Sequence, residues 1–175
     1  MELRLLGPGD LDALNALFER VPEGDRTFFK EDVLDPEVVA TWTHDRYARR
    51  FVALDGDSVV AYTAVIPGIG WSSHVGELRL VVDPAYRRRG LGTTLAQRAM
   101  LEAFELGLHK LSVEVVADQA AAIQLFQVLG FDGEAILRDH VRDRDGRLHD
   151  LIVLTHMVDE NWALLATAGI EDALT

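Results

Sequence analysis

A run of arginines and glycines, Arg87–Gly92, is the segment of this sequence whose residue types could do chemistry. It follows a predicted strand, Glu77–Val82, and opens a long predicted helix, Gly90–Leu106. Glycine at a helix start lets the backbone approach a ligand closely, and the first helical amides have no intrahelical partner. These amides, the helix macrodipole and the neighbouring arginines favour an anion. The pattern therefore predicts a ligand that carries phosphate or pyrophosphate.

Two common phosphate-loop patterns fit this segment poorly. The Walker A pattern needs a lysine after its second glycine, and here Thr93 and Thr94 follow Gly92 directly. The dinucleotide-binding pattern needs a third glycine, and Leu95 stands at that position. A solvated arginine run is the simpler alternative, but the position between a buried strand and a long helix favours a phosphate site.

Composition places the chain among globular proteins and argues against nucleic acid as a partner. The 175 residues are 49% hydrophobic and 26% charged, and 17 Lys and Arg stand against 29 Asp and Glu, for a net charge of -12. We expect a single domain over residues 1–175 at this length. Nucleic-acid binding needs a basic surface, whereas this charge favours either a cationic, amine-bearing partner or only solubility.

No cysteine occurs in the sequence, which excludes a thiol nucleophile, a disulfide and a cysteine-zinc site. This absence fits a reducing cytoplasm. The start, Met1–Arg4, lacks the basic and apolar regions of a signal peptide, and no apolar run approaches the ~18 residues of a membrane span. We therefore expect a cytoplasmic protein with no membrane partner.

Hydrophobic periodicity predicts elements in the order β-α-α-β-β-β-α-β-α-β-β-α. The predicted strands are Glu2–Leu6, Phe51–Leu54, Val59–Ile66, Glu77–Val82, Lys110–Val116, Phe131–Arg142 and Arg147–Met157. The predicted helices are Leu11–Arg20, Glu37–Arg46, Gly90–Leu106, Gln119–Leu129 and Asp159–Ala168. Because Val59–Ile66 is apolar on both faces, we expect it to be a central strand. The strand-helix-strand unit that follows suggests a parallel pair inside a mixed sheet.

The segment Arg87-Arg88-Arg89-Gly90-Leu91-Gly92 resembles the Arg/Gln-x-x-Gly-x-Gly/Ala signature of the GNAT acyl-CoA-dependent N-acetyltransferases. The segments Val82–Tyr86 and Ala122–Phe131 also look like this family, and the resemblance covers about residues 59–131. It implies the GNAT fold, an α/β domain with a twisted mixed sheet of six or seven strands flanked by helices. It also implies direct transfer of an acetyl group from acetyl-CoA to a primary amine.

The resemblance further implies where acetyl-CoA binds. The backbone amides from Arg88 to Thr93 would hold the pyrophosphate, and the main chain of Leu80 and Val82 would pair with the pantetheine arm in a gap between splayed strands. The N–H of Val82, or one beside it, would be the oxyanion donor, and Gln119 stands where the family often has an Asn that contacts pantetheine. The residues expected to bind the cofactor are Leu80, Val81, Val82, Arg87, Arg88, Arg89, Gly90, Leu91, Gly92, Thr93, Gln119 and Phe126.

Phe126 departs from the family pattern. Many members have a Tyr at this position, taken to protonate the departing CoA thiolate, and Phe has no proton to donate. Either another group or water supplies the proton, or transfer needs no acid. A CoA-binding sensor or interaction module without transferase activity is the alternative function.

Two residues are candidates for the general base. An alkyl amine with a pKa of about 10.4 is mostly protonated at neutral pH, so a base must accept a proton before attack. Glu77, on the predicted strand, is the first candidate, and a surface or ion-paired glutamate is its alternative. His74, in the loop before that strand, is the second, because unperturbed histidine titrates near neutrality. His109 lies away from the motif, and we expect it to be structural.

No metal is predicted, and the acceptor and oligomeric state stay open. Asp139-His140 and His149-Asp150 face each other on a predicted hairpin, where paired polar residues more often form a solvent-side ladder than a metal site. Trp162, in the predicted last helix, could cap the core or face a second subunit in a homodimer. The resemblance implies a small-molecule or peptide amine as the acceptor, and the acidic charge slightly favours a cationic one.

Overall fold

Residues 1–26 and 29–158 are described by the structure, a computed structural model. The strands are β1 (Glu2–Leu5), β2 (Arg49–Asp55), β3 (Ser58–Pro67), β4 (Val75–Val82), β5 (Lys110–Val116), β6 (Asp132–Arg142) and β7 (Leu148–Met157). The helices are α1 (Leu11–Arg20), α2 (Glu23–Arg26), α3 (Pro36–Thr41), α4 (Leu91–Glu105) and α5 (Ala120–Val128). The predicted order is confirmed with the short α2 added, and the predicted helix Asp159–Ala168 lies outside the described residues.

These strands form one mixed sheet in the order β1-β2-β3-β4-β5-β7-β6. Every neighbouring pair is antiparallel except β4 and β5, which are parallel and joined through α4. Strand β3 lies between β2 and β4, and its residues from Val59 to Val65 are all buried. The two-sided apolar pattern therefore identified a central strand correctly, because such a strand packs helices on both faces.

Helices cover both faces of the sheet. On one face α1 and α3 pack against β3, and the ring of Phe18 meets those of Trp42 and Tyr62 edge-on at 5.9 and 6.1 Å. On the other face α4 and α5 pack against β4 and β5 through small residues such as Ala99 and Ala103, which let the helix lie close to the strands. The sheet and helices form the mixed seven-stranded architecture that the resemblance implied.

Helix α3 ends earlier than predicted, which corrects the predicted helix Glu37–Arg46. It stops at Thr41, and the chain continues in tight turns in which the N–H of Trp42 donates to Val39 and that of Thr43 to Ala40. The hydroxyls of Thr41 and Thr43 also donate to backbone carbonyls, at 2.6 and 3.0 Å. Side-chain hydrogen bonds of this kind compete with helical ones, which a pattern of apolar spacing does not register.

Among the described residues, no helix is both long enough and apolar enough to cross a membrane.

Candidate active site

The parallel strands β4 and β5 pair along only part of their length. Their register holds for three residue pairs, from Val75 opposite Lys110 to Glu77 opposite Ser112. On the outer sides, β3 follows β4 to Val82 and β7 pairs with all of β5. Beyond Glu77 the two strands therefore diverge and leave a gap in the middle of the sheet, as the resemblance implied.

The main chain of Leu80 and Val82 faces this gap. The N–H of Asp83 donates to the Val60 carbonyl of β3 at 2.9 Å. The main-chain N–H and C=O groups of Asp83, and of every second residue before it, therefore point toward β3. Leu80 and Val82 point the other way, where the β4–β5 ladder of the described residues has already ended. Val81 is not brought to the gap, because its main chain faces β3 and its side chain is buried against α1.

The loop after β4 directs backbone amides toward one region. Arg88 has a φ of 60° and Gly90 a φ of 83°, so two left-handed residues curve the chain within three positions. Gly90 is the N-cap of α4 and offers no side chain to the first turn, whose first bond runs from Thr94 N–H to the Gly90 carbonyl at 3.0 Å. The amides of Leu91, Gly92 and Thr93 precede that bond. Amides without an intrahelical partner at a helix start favour an anion.

The three arginines of this loop have different partners. Arg87 donates from Nη2 to Asp25 at 2.7 Å and from Nε to the Val82 carbonyl at 3.1 Å. Arg89 lies over the ring of Tyr86, 5.3 Å from its centroid. Within the described ranges the Arg88 side chain has no hydrogen-bond or ion-pair partner and is exposed. Arg88 is thus the arginine whose guanidinium is available to a phosphate.

Asp83 holds the turn that leads from β4 into this loop. Its side chain is buried and accepts from Arg20 Nε at 2.6 Å and from the Ala85 N–H at 2.9 Å, while Arg20 also donates to the Val59 carbonyl at 2.7 Å. Burial alone would raise the pKa of Asp83, but Arg20 and the Ala85 amide outweigh it and lower that pKa. We did not predict this link from the sequence, although an Asp before a Pro is a recognisable cap signal.

Glu77 stands at the last paired position, where the gap opens. Its Oε1 accepts from Arg79 Nε at 2.9 Å, and its Oε2 lies 3.0 Å from Lys30 Nζ. Burial would raise the pKa of Glu77, but Arg79 and Lys30 outweigh it, so the pKa falls below its usual value. The carboxylate is therefore ionised at neutral pH, and it is both a candidate base and a member of an ion-pair network.

His74 lies at the opposite, closed end of the strand pair. Its carbonyl accepts the N–H of His109 at 2.8 Å and that of Lys110 at 3.2 Å, and the two histidine rings are 6.3 Å apart. At about 3.3 Å per residue, His74 is roughly 10 Å along the strand from Glu77. The structure does not bring His74 to the gap.

Gln119 and Phe126 lie at the start of and within α5, the helix that follows β5. Gln119 is the N-cap of α5 directly after β5, and its carbonyl accepts from Ala122 and Ile123. Phe126 is only 3% exposed and packs edge-on against Phe131 at 5.3 Å. Phe126 is therefore a packing residue of the core.

Two charged residues of the site were missed by sequence reasoning. Lys30 Nζ lies 3.0 Å from Oε2 of both Glu77 on β4 and Glu114 on β5. Lys30 also lines a cavity of about 250 Å³, between the segment 29–34 and the β6–β7 hairpin around Asp143. Glu114 could have been found from strand alternation, since it shares a face with Ser112, the partner of Glu77.

His149 and Asp150 of the β6–β7 hairpin bond to nearby acidic residues and main chain. His149 Nδ1 lies 2.8 Å from Asp118, and its Nε2 lies 2.8 Å from Asp143. Asp150 accepts the N–H of Asp139 at 2.9 Å. Within residues 1–26 and 29–158, no group of three or more His, Asp or Glu has an arrangement that could hold a metal ion.

Comparison of the sequence with known proteins points to one family. The model of the family described as Acetyltransferase (GNAT) matches residues 13–131. The [ribosomal protein bS18]-alanine N-acetyltransferase of Escherichia coli K12 is 40% identical over 75 residues, which are 43% of this chain and 50% of that protein. The chain thus spans about half the length of the relatives it matches at this level.

Solved structures share the fold over nearly the whole chain. A ribosomal-protein-alanine N-acetyltransferase from Brucella melitensis is 26% identical with a TM-score of 0.78, and the match covers 90% of this chain and 99% of that one. A Salmonella typhimurium structure with its cofactor acetyl-CoA is 22% identical with a TM-score of 0.78, covering 91% and 94%. The seven-stranded mixed sheet is therefore shared with acetyltransferase structures.

Proposed function

The chain belongs to the GNAT acetyltransferase family, and we propose that it transfers an acetyl group from acetyl-CoA to a primary amine. One observation carries this proposal: β4 and β5 part after Glu77 and leave the main chain of Leu80 and Val82 facing a gap that ends at the Arg87–Gly92 loop. A strand edge followed by an anion site matches a ligand with an amide-bearing arm and a pyrophosphate.

The donor would lie along that edge. The pantetheine arm would pair with Leu80 and Val82 between the diverging strands, with Gln119 on the opposite wall. The amides from Arg88 to Thr93 would hold the pyrophosphate, supported by the exposed Arg88 side chain. The arm would run from the loop past Val82 toward Glu77, so the thioester carbonyl would lie near the Leu80 N–H, the gap-facing amide next to the predicted Val82, which would stabilise its developing negative charge.

Transfer would be a direct attack within a ternary complex, since the sequence offers no cysteine nucleophile. The amine loses a proton to Glu77, directly or through water, and its nitrogen attacks the thioester carbonyl carbon. The carbon–sulfur bond then breaks, the nitrogen gives its second proton to water, and CoA leaves as a thiolate. A thiol pKa of about 8.5 makes the thiolate a good leaving group, so a buried Phe126 does not prevent the reaction.

The acceptor would approach from the face of the sheet that carries Glu77. That face holds the cavity between the segment 29–34 and the β6–β7 hairpin. The Escherichia coli relative, by its name, acts on an alanine amine of a ribosomal protein, and a small-molecule or peptide amine is the acceptor class proposed here. A cytoplasmic location, a single domain and a homodimer remain predictions, and Trp162 lies outside the described residues.

A thermal melt with acetyl-CoA, CoA, ATP and NAD tests the donor site. A ligand at ~100 times its dissociation constant stabilises by ~2.7 kcal/mol, which raises the midpoint by about 5–10 °C in a domain of this size. We expect this shift with acetyl-CoA and CoA alone. Equal shifts with all four ligands, or none, would contradict the proposal.

The variant Gly92→Trp tests whether acetyl-CoA binds beside the start of α4. A Cβ at position 92 would already lie 3.4 Å from Leu125 and 3.9 Å from Val82, so the indole has to extend into the approach to the gap. We expect the acetyl-CoA shift to disappear. The same substitution at Gly133, on the exposed strand β6 with open space around its Cβ, should leave the shift unchanged.

Phe126 favours a second candidate function, a CoA-binding sensor without transferase activity. Release of free thiol from acetyl-CoA with a panel of amines separates the two functions. A protein that binds acetyl-CoA and releases no thiol above background with any amine would be assigned to the sensor function.

A further inference from the structure

Lys30 lies at the mouth of the gap, between carboxylates of two different strands. Its Nζ is 3.0 Å from the Glu77 carboxylate on β4 and 3.0 Å from the Glu114 carboxylate on β5. Glu77 is the last paired residue of β4, and Glu114 follows the partner of Glu77 by two positions. The lysine amine therefore spans the point at which the two strands part.

We propose that Lys30 is an internal acceptor, a lysine whose own amine takes the acetyl group from acetyl-CoA bound in the same chain. This inference rests on the proposed donor site. Lys30 lines the cavity on one side and contacts the candidate base Glu77 on the other. An amine that enters from the cavity would have to reach the position that the Lys30 amine already occupies.

The use of lysine at this position is unusual within the chain. The sequence has two lysines, Lys30 and Lys110, against fifteen arginines. Arginine supplies the other cation on the same carboxylate, since Arg79 also pairs with Glu77. The arginine side chain stays charged at all relevant pH values and cannot act as an amine nucleophile, whereas the lysine amine can lose its proton.

Lys30 is held loosely enough to react. Its side chain is 45% exposed, and ion pairs at such exposure contribute little to stability. The Lys30 amine can leave one carboxylate while the other still holds it. Lys110, in contrast, lies at the closed end of the strand pair, where it is bound to Glu134 on β6.

The transfer step balances with acetyl-CoA as the only co-reactant. The Lys30 ammonium gives one proton to Glu77 or Glu114, and the freed lone pair attacks the thioester carbonyl carbon. A carbon–nitrogen bond forms, the carbon–sulfur bond breaks, and the nitrogen gives its second proton through water to the departing CoA thiolate. Acetyl-Lys30 is neutral, so Glu77 and Glu114 lose their shared cation and the mouth of the gap becomes open to a cationic acceptor.

The experiment incubates the purified chain with acetyl-CoA and no acceptor, and follows acetylation of each lysine by peptide mass spectrometry. We expect Lys30 to be labelled at least about tenfold faster than Lys110, because a positioned amine reacts as an intramolecular group. Burial would lower the pKa of Lys30, but Glu114 and Glu77 outweigh it and raise that pKa. The labelling rate should therefore rise about tenfold per pH unit below that pKa, with the fraction of neutral amine.

Three variants serve as controls. Lys30→Arg keeps the cation and removes the acetyl acceptor, so label at position 30 should vanish. Lys110→Arg should be labelled at Lys30 like the wild type. Gly92→Trp should lose the Lys30 label with its acetyl-CoA binding.

Equal rates at the two lysines, or Lys30 labelling that survives in Gly92→Trp, would mean simple chemical acetylation and overturn the inference. An unlabelled Lys30 in a protein whose midpoint rises with acetyl-CoA overturns the inference and leaves the proposed donor site standing. No label and no midpoint shift overturn both.

Discussion

The two halves of the β4–β5 pair differ although they belong to the same strands. In the closed half, a Cβ on Gly76 would lie 2.6 Å from Leu108 and 3.2 Å from Leu111 and Val65, so the strands and the side chains beneath them are in close apolar contact. In the open half, Leu80 and Val82 present main chain to a gap. One pair of strands thus serves as core at one end and as a binding edge at the other.

The two halves are also held by different forces. Apolar packing secures the closed half and does not depend on the ionisation of a side chain. The open half is bordered by charges, with Asp83 bound to Arg20 on one side and Lys30 between Glu77 and Glu114 on the other. Side chains cannot pack across a gap that must admit a ligand. Ion pairs at the margins hold the two strands in place and leave the gap between them open.

We expect the largest effect on activity from a substitution of Glu77, at the boundary between the closed and open halves. Glu77→Gln keeps the size of the side chain and removes the proposed base, so kcat should fall about 10²–10⁴-fold with any amine that the wild type acetylates. The acetyl-CoA melt shift should persist. Glu134→Gln is the matched control, because Glu134 is also an ion-paired glutamate but binds Lys110 at the closed end of the strand pair. Full turnover in Glu77→Gln would remove Glu77 from the reaction.

The closed half should be the more sensitive to added volume. Gly76→Val inserts carbon atoms where Leu108 already lies 2.6 Å from a Cβ, and overpacking of this kind destabilises by about 1–3 kcal/mol. Urea unfolding measures the loss. Gly133→Val, on an exposed strand with open space around its Cβ, should change the free energy of unfolding by less than about 0.5 kcal/mol. Equal losses at both positions would show that the closed half is not tightly packed.

The open half should be the more sensitive to acid. Asp83 has a lowered pKa in the folded chain, so its contribution to stability is present above its unfolded pKa of about 3.9 and is lost as the pH falls through the folded value. Asp83→Asn should cost about 1–2 kcal/mol at neutral pH. It should also show a smaller drop in the free energy of unfolding toward pH 3.

Unfolding at pH 7 and pH 3 checks the Asp83 prediction. Asp57→Asn, at an exposed turn position between β2 and β3, provides the matched control and should keep the acid dependence of the wild type. An Asp83→Asn protein with that same acid dependence would exclude the Arg20 link as its source.

We expect the smallest effect from a substitution of Arg88, which distinguishes the contribution of the loop backbone to acetyl-CoA affinity from that of the side chain. Arg88→Gly keeps the left-handed position, which glycine adopts without strain, and removes one exposed guanidinium. An exposed charge contributes up to about 1 kcal/mol, so acetyl-CoA affinity measured by calorimetry should fall by less than about tenfold. A complete loss would mean that the side chain, and not the amides, carries the anion site.

Much of the fold could be predicted because the signals are local. Apolar runs, glycine turns and alternation placed all seven observed strands, and the Arg87–Gly92 segment was located between β4 and α4. The short helix α2 was not predicted, and helix α3 ended earlier than predicted, because the hydroxyls of Thr41 and Thr43 compete for backbone carbonyls and apolar spacing does not record that.

The features of the candidate site also differ in whether they depend on local sequence or on tertiary contacts. The amino-acid sequence by itself determined the anion loop, the strand beside it and the family resemblance, since these depend on neighbouring residues and on the conformations they allow. The tertiary structure alone decided that Lys30 meets Glu77, 47 positions away, that Arg20 meets Asp83, 63 positions away, and that His74 lies at the closed end. The physical reason is that loop closure depends only weakly on chain separation, so a pattern of neighbours cannot indicate which distant charge arrives.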